Sequence, residues 1–504
     1  MTKNILKNTT EASPSALLQG LDSVSGFGRM TALNEGKSSR TGSESSTRYN
    51  VCQGIQELCT ALNVSQSLSA GFGLFGVDEK MTFLKDFSLT THTLSIVVYA
   101  SKIFGTQTVT DTGLKDDAKE RLQKDSVAFW REYGDAYVSS ITTGAEYYAV
   151  YAFYAETREE QQSLSADLMA SGIFQGGSLD AGFQNKLDEF TKSHTVRHHF
   201  DQHMSGTGST EYPTPEKLIE FALHFPSLPI KEEEAEIISF TSSGYEHVPD
   251  VGDFNPIAKN RNYFIGNGPE AGLENDLVKV IELLNLMDRL GKIYALYGGF
   301  TDKKVDDLRK VAEKDREAIK KQLTDYQADP TRNFERPDFP SLTQGTPALT
   351  YTLGEMKLGG SGGEDHFDDV NDGRDFMQSL MRISKLQLRW SDYVYALIVT
   401  YINEHNQLTE YRHGGTDGDS NDDLVLLKEE RIRSVSGRSG RYVDFLKFET
   451  SSGKYIEGGG PGGDRSSWTV PDGSFVLGFK GRSGRLLDKV AIVYVTFKEA
   501  TWNR

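Results

Sequence analysis

Near its C-terminus the chain repeats itself. Gly437-Arg438-Ser439-Gly440-Arg441-Tyr442-Val443-Asp444 is echoed by Gly481-Arg482-Ser483-Gly484-Arg485-Leu486-Leu487-Asp488, and each copy runs into an alternating strand, Phe445–Phe448 or Val490–Phe497. A degraded third copy, Trp390-Ser391-Asp392-Tyr393-Val394-Tyr395, leads into 396–401. Each copy has a partner glycine loop: Gly359-Gly360-Ser361-Gly362-Gly363, Gly414-Gly415-Thr416-Asp417-Gly418, and Gly458-Gly459-Gly460-Pro461-Gly462-Gly463. A unit repeated in this way buries its apolar face against copies of itself. Three units with three loops predict an all-β, three-faced prism over 352–504, with the prolines of 331–351 as a linker before it.

The residue types also carry chemistry. A sugar ring presents vicinal hydroxyls that donate and accept. One carboxylate accepts from two of them, and backbone N–H groups in a glycine turn donate back at close range. On these residues, from GGSGGEDHFDD to GRSGRLLDKVAIVYV, the segment 352–499 resembles the jacalin-related lectins, whose fold is the β-prism. The resemblance implies a main carbohydrate site that joins Gly362 or Gly363 to Gly484, Arg485, Leu486 and Asp488. It implies a second at Gly440 and Asp444 with the loop 459–463, and within it Gly459 and Gly460. In the degraded copy Ser391 and Tyr395 replace the glycine and aspartate, so two competent sites and one dead site are expected. The family takes mannose/glucose or galactose, and the motif does not choose. The alternative is that these turns only close hairpins.

Upstream, 46–160 mixes short helical and strand patterns, with Leu94–Tyr99 and Ala145–Tyr154 reading as strands. From 267 to 330 the period is helical. Leu273, Leu277, Ile281 and Leu284 share one face, and after Gly298-Gly299 so do Val305, Leu308, Ala312, Ile319 and Leu323. Residues 1–45 are polar and read as a flexible arm. In the segment Phe129–Ala145, the residues Tyr133-Gly134, Tyr137 and Gly144 resemble the MACPF (perforin-like) signature, with Asp135-Ala136 and Ala145 departing from it. SQSLSAGFGLFGVDEKMTFLKDFSLTTHTLSIVVYASKI before it, and TREEQQSLSADLMASG and TPEKLIEFALHFP after it, extend the resemblance over about 45–260.

That resemblance implies an α+β fold over 46–330: a bent, twisted four-stranded antiparallel sheet flanked by helical clusters, with a C-terminal helical extension. In this family two such clusters become amphipathic β-hairpins that insert into a target membrane from a ring of subunits. The segments should then fit both periods. Read as a strand, Met81, Phe83, Phe87 and Leu89 share a face, which Lys85 interrupts. In the second cluster Leu164, Leu168 and Phe174 fall on one strand face, while Phe183, Leu187 and Phe190 form a helical stripe. The dual pattern is imperfect, and ordinary packing helices in a non-lytic carbohydrate-binding relative are the alternative. Gly144 falls at the expected bend, where Val should hinder opening.

The net charge of −17 argues against nucleic acid and anionic lipid as partners. Glycans, a target membrane and further copies of the chain are the partners expected. No nucleophile–base pair, P-loop or dinucleotide fingerprint is present, so neither an enzyme nor a cofactor is expected. Cys52 and Cys59, if two turns apart on one helix, read as free thiols. His194 with His198, and His199 with His203, are four apart, as in a helical metal clamp or an acid trigger, though a solvated segment accounts for them too and no metal is expected. Asp417-x-Asp419-x-Asn421-Asp422 begins like a calcium loop but lacks its glycine and its final acid. The opening MTKNILKNTTEASPSALL lacks an apolar signal core, so a soluble protein, released without a recognisable signal peptide, is expected.

Overall fold

The structure, a computed structural model, describes residues 15–64, 79–194, 196–208, 211–266, 271–420 and 422–503. SQSLSAGFGLFGVD (65–78), the first fourteen residues of the arm and Asn421 lie outside them. Two compact units are formed. One contains 1–286 and 308–345; the other contains 287–307 and 346–503.

The first unit is built on a long antiparallel sheet. Glu44–Gln53, Thr93–Thr110 and Ala136–Tyr154 pair in that order. The far edge of Ala136–Tyr154 is shared by two strands end to end. His198–Ser205 pairs with Glu146–Phe153, and Glu236–Gly244 pairs with Ala136–Gly144. Gly144 marks the change of partner. Opposite it, the register with Thr93–Thr110 shifts between Ile103 and Gly105. A Cβ at Gly144 would lie 2.4 Å from the Lys102 carbonyl oxygen and 3.0 Å from the Ile103 Cα. Any side chain there collides with the neighbouring strand, so Gly144→Val would damage the fold instead of isolating an opening step.

Both faces are buried over the paired stretches 93–101 and 145–154, which explains why these runs are apolar without alternation. Leu94, Ile96 and Val98, with Tyr147, Ala149 and Tyr151, face Leu164, Leu168, Phe183, Leu187 and Phe190 of the helices Arg158–Ala170 and Phe183–Ser193. Val97 and Tyr99, with Tyr148 and Val150, face Met81, Phe83, Phe87 and Leu89 in and after Glu79–Asp86, together with Ile55 and Leu58 of Gly54–Ala61. Phe174 departs from the pattern and is exposed. No helix among the described residues is long and apolar enough to cross a membrane.

The first cluster is also held by charge. Lys80 Nζ donates to Glu146 (2.9 Å), to the Leu62 carbonyl (3.0 Å) and to the Ile238 carbonyl (2.9 Å), while Tyr99 Oη donates to Glu146 at 2.9 Å. Burial raises the Glu146 carboxyl above its usual range, and Lys80 and Tyr99 draw it partly back.

The signature residues close one end of the sheet. Tyr133 ends the helix Ser126–Tyr133, and Gly134 follows with φ of 83°. A Cβ on Gly134 would lie 2.1 Å from the Leu21 carbonyl oxygen. Tyr137 is buried in the same cluster as Tyr133 and Tyr245. Asp135, a departure from the signature, accepts from Tyr326 Oη (3.0 Å) and Ser23 N (2.9 Å), tying this turn to the helix Lys303–Ala328. Burial, then the nearby Asp22, raise its carboxyl.

Several expectations need correction. The arm is not loose where described: Gly20–Asp22, Phe27–Arg29 and Lys37–Arg40 are strands of the sheet, because backbone pairing does not require apolar side chains. The proline-rich linker is docked. Phe334 and Phe339 pack on the core, Arg336 Nε donates to Asp276 at 2.9 Å, Ser341 N donates to Asp315 at 2.9 Å, and the first prism strand begins at Thr346. The helical extension does not belong wholly to the first unit. Its turn, 287–307, joins the prism unit, where Tyr294 and Tyr297 meet Phe497 and Phe475, and Tyr297 Oη donates to the Met381 carbonyl at 2.6 Å. Cys52 lies on a strand and only Cys59 on a helix; both are free and buried. His198, His199 and His203 lie on a strand, which rules out a helical clamp. His199 and His203 face Phe87 and Phe83, whereas His198 meets Phe153. His194 pairs with Asp167 at 3.2 Å.

Removing one partner of a buried ion pair strands the other. Lys80→Met should destabilise the first unit by about 3 kcal/mol in denaturant unfolding, and adding Glu146→Gln should recover part of that loss. An unfolding curve for Lys80→Met equal to that of the parent would rule out a holding role for Lys80.

Candidate carbohydrate site

The second unit carries three antiparallel sheets. One contains Thr346–Gly359, Leu487–Asn503, Ser474–Ser483 and Asp365–Asp368. Another is built on Arg382–Trp390 and Val394–Ile402. The last is built on Ile432–Ser439 and Val443–Thr450. Their inner faces share a core of Leu358, Leu388, Leu397, Val435, Leu446, Phe448, Phe479 and Val490, all buried.

The repeat is reproduced in the backbone. Each sheet bulges at the same place, between Arg389 and Trp390, Arg438 and Ser439, or Arg482 and Ser483. The turn that follows is closed alike: Ser391 N donates to the Tyr393 carbonyl (2.9 Å), Gly440 N to that of Tyr442 (3.1 Å), and Gly484 N to that of Leu486 (3.0 Å).

Each glycine loop folds back over its own turn. At the first site, added Cβ atoms on Gly362 and Gly363 would lie 2.6 Å and 2.9 Å from the Asp488 carboxylate oxygens. At the second, Gly462 and Gly463 stand in the same relation to Asp444, each at 2.5 Å. Only glycine allows this approach. Asp488 and Asp444 are 5% and 7% exposed, so each carboxylate is held in a cradle with little access to water. Asp444 Oδ2 has no hydrogen-bond donor among the described residues. A buried acceptor left unpaired costs about 1–3 kcal/mol, so a donor supplied by a ligand is favoured. Burial raises the Asp488 carboxyl above its usual range, and Arg441 draws it partly back.

The structure thus brings together Gly362, Gly363, Gly484 and Asp488, with Leu486 closing the turn. Arg485 is drawn away to an ion pair with Asp417 (Nε to Oδ2, 3.0 Å). At the second site Gly440 and Asp444 are as expected, but Gly459 and Gly460 are not the cradle. Gly460 N donates to the Asp444 backbone carbonyl at 2.8 Å, and the carboxylate is faced by Gly462 and Gly463. In the third copy the Tyr395 ring lies against Gly418, where the other copies hold a carboxylate. A groove of about 740 Å³, lined by Arg438, Gly459, Gly460 and Pro461, opens against the second loop.

The sequence reading missed the arginine that precedes each turn. Arg482 donates to the Ser361 carbonyl (2.9 Å). Arg438 donates to those of Gly462 (2.8 Å) and Gly463 (3.0 Å), and Arg389 to those of Asp417 (3.2 Å) and Gly418 (2.9 Å). Its signal was present, since arginine occupies that place in all three copies.

Residues 356–493 match the family model of the jacalin-like lectin domain. The prism is a jacalin-like lectin domain. Among solved structures it is similar to a mannose-binding jacalin-related lectin from Ananas comosus, at 22% identity over 29% of this chain and 99% of that one, with a TM-score of 0.24. Malaysian banana lectin is 21% identical over 29% and 100% of the two chains (TM-score 0.25), and frutapin from Artocarpus incisa is 24% identical over 29% and 98% (TM-score 0.25). No perforin-like family model matches the chain.

Arg482→Ala frees the Ser361 carbonyl in the lectin domain. Amide exchange of 360–363 should rise, with a stability loss of about 1 kcal/mol. Unchanged protection there would mean that the hairpin alone holds the loop.

Proposed function

We propose that this chain binds glycans through the Asp488 and Asp444 cradles, and that its first unit is a perforin-like pore-forming module which those cradles deliver to a cell surface. The observation that carries the first half is Asp444: a buried carboxylate with an unpaired oxygen, walled by glycines whose own carbonyls are held by the Arg438 guanidinium. That arrangement suits a pair of vicinal hydroxyls. The third copy, with Tyr395 in place of the carboxylate, does not bind. Weak sites gain avidity when several subunits share a surface.

The second half is supported by placement. The two segments singled out as future hairpins lie in connections between antiparallel strands, Glu44–Gln53 to Thr93–Thr110 and Ala136–Tyr154 to His198–Ser205, and their helices pack on opposite faces of the sheet. Release of both clusters would let each lengthen the strands that flank it. Edge pairing between subunits then builds a ring and a shared barrel, the only sheet arrangement that leaves no unpaired backbone in lipid. In this reading the protein is released in soluble form, acts on a target-cell membrane and is not an enzyme.

Titration with mannosides and galactosides tests the lectin role. Asp488→Asn or Asp444→Asn should each reduce two binding events to one, and the double variant should bind neither sugar. Acidification should weaken the Asp488 site at a pH above the ordinary 3.8 of an aspartate, because a raised pKa brings protonation, and loss of an acceptor, at higher pH. Dye release from liposomes bearing the bound glycan tests the pore. Binding without release would favour the non-lytic lectin.

A further inference from the structure

The three glycine loops lean on one another in a ring. Beyond its own turn, each loop touches the turn of the next sheet through one glycine, Gly360, Gly415 or Gly460. A Cβ on Gly360 would lie 2.5 Å from the Arg441 carbonyl oxygen, one on Gly415 2.4 Å from that of Arg485, and one on Gly460 2.5 Å from that of Asp392. Asp392, Arg441 and Arg485 hold the same place in the three turns. Every loop is therefore flanked by an equivalent residue borrowed from a neighbour. For the Asp444 loop that residue is Asp392, for the Asp488 loop it is Arg441, and for the third loop it is Arg485.

The third loop shows what such a flanking arginine can reach. There Arg485 Nε meets the Asp417 carboxylate at 3.0 Å, and Asp417 occupies the loop position that is Gly362 beside Asp488 and Gly462 beside Asp444. A carboxylate at that place lies within a hydrogen bond of the flanking guanidinium. Around Asp488 the same geometry is kept, but the loop residue is Gly362 and supplies no carboxylate. Arg441 is exposed, rests over the Tyr442 ring at 5.4 Å, and has no carboxylate within ion-pair distance among the described residues.

We infer that the Asp488 site takes a glycan bearing an anionic group, a carboxylate or a sulfate ester, close to the ring that Asp488 holds, with Arg441 receiving the anion as Arg485 receives Asp417. The inference rests on the lectin reading above and adds the ligand class. The two sites then differ in kind. At the Asp444 site the flanking residue is Asp392, next to Tyr393, whose ring meets that of Tyr442 edge-on at 5.7 Å. A carboxylate there repels an acidic sugar, and the neighbouring tyrosine offers an apolar face to a neutral one. One chain would thus carry an acid-accepting site and a neutral-preferring site, neither built from its own sheet alone.

The test uses the full chain with Asp444→Asn, so that only the Asp488 site reports. Matched pairs of mannosides and galactosides, neutral against uronate-bearing and neutral against sulfated, are titrated at low and at physiological salt. The acidic member of a pair should bind up to about fivefold more tightly, the scale of an exposed ion pair, and the advantage should shrink as salt rises. Arg441→Gln should bring the ratio to about one, and Arg441→Lys should keep most of it. In the reciprocal Asp488→Asn chain the neutral member should bind better. Equal affinities within every pair, or an Arg441→Gln loss that falls equally on neutral and acidic members, would overturn the inference while leaving the lectin reading intact. Failure of the unmodified chain to bind any member would overturn the lectin reading and the inference with it.

Discussion

A carboxylate pressed against glycine backbone sets the terms for the lectin half. Asp488 and Asp444 are almost withdrawn from water, yet the groups beside them are glycines and backbone carbonyls, with little to donate. A mobile loop would admit water to the carboxylate and relieve its burial, so the cradle stays dry only while the loop around it is fixed. Arg438 and Arg482 do the fixing from behind, through loop carbonyls, and leave the carboxylate side open. The backbone bulge before each turn aims the arginine at the loop and the aspartate at the opening.

In the first unit the governing constraint is a sheet covered on both faces. Met81, Phe83, Phe87 and Leu89 on one side, and Leu164, Leu168, Phe183 and Leu187 on the other, each hold about 1.5–3 kcal/mol of burial. Peeling the clusters away in water forfeits all of it. On the proposed pore-forming reading lipid would return it, since the same side chains would be buried again against acyl chains. On that reading the membrane supplies surroundings in which an opened form would not expose its apolar side chains. Lys80 would be the exception, because Glu146, which balances its charge in this structure, would have no equivalent in lipid.

What the sequence made legible follows from what it must encode locally. Glycines forced by close backbone approach recur at fixed spacing, so the loops and their aspartates could be read. The strand runs and the helical stripes were equally visible. Partnership was not. A helical stripe tells which face is buried but not against what, so the assignment of 287–307 to the prism unit could not be foreseen. Four-residue spacing puts histidines on one face of a strand as well as of a helix, which is why the spacing of His199 and His203 could not choose between the two. Polar residues in 15–45 gave no sign of pairing because the sheet uses their backbone. Arg389, Arg438 and Arg482 were overlooked because a side chain that grips backbone carbonyls leaves no mark on the residues it grips.

The degraded copy separates structural need from ligand need. Its loop keeps Gly414, Gly415 and Gly418, its arginine keeps its bonds, and its turn closes between Ser391 and Tyr393 at 2.9 Å, against 3.1 Å and 3.0 Å in the others. Hairpin, bulge and loop therefore form without the aspartate. If the carboxylates of Asp444 and Asp488 served only to close their turns, the third turn should have failed; it did not. Those two residues are surplus to the fold and carry a cost of burial, and a costly group that the fold does not need is accounted for by what it binds. The third copy keeps its place for another reason: its turn supports the loop over Asp444, and its own loop holds Arg485.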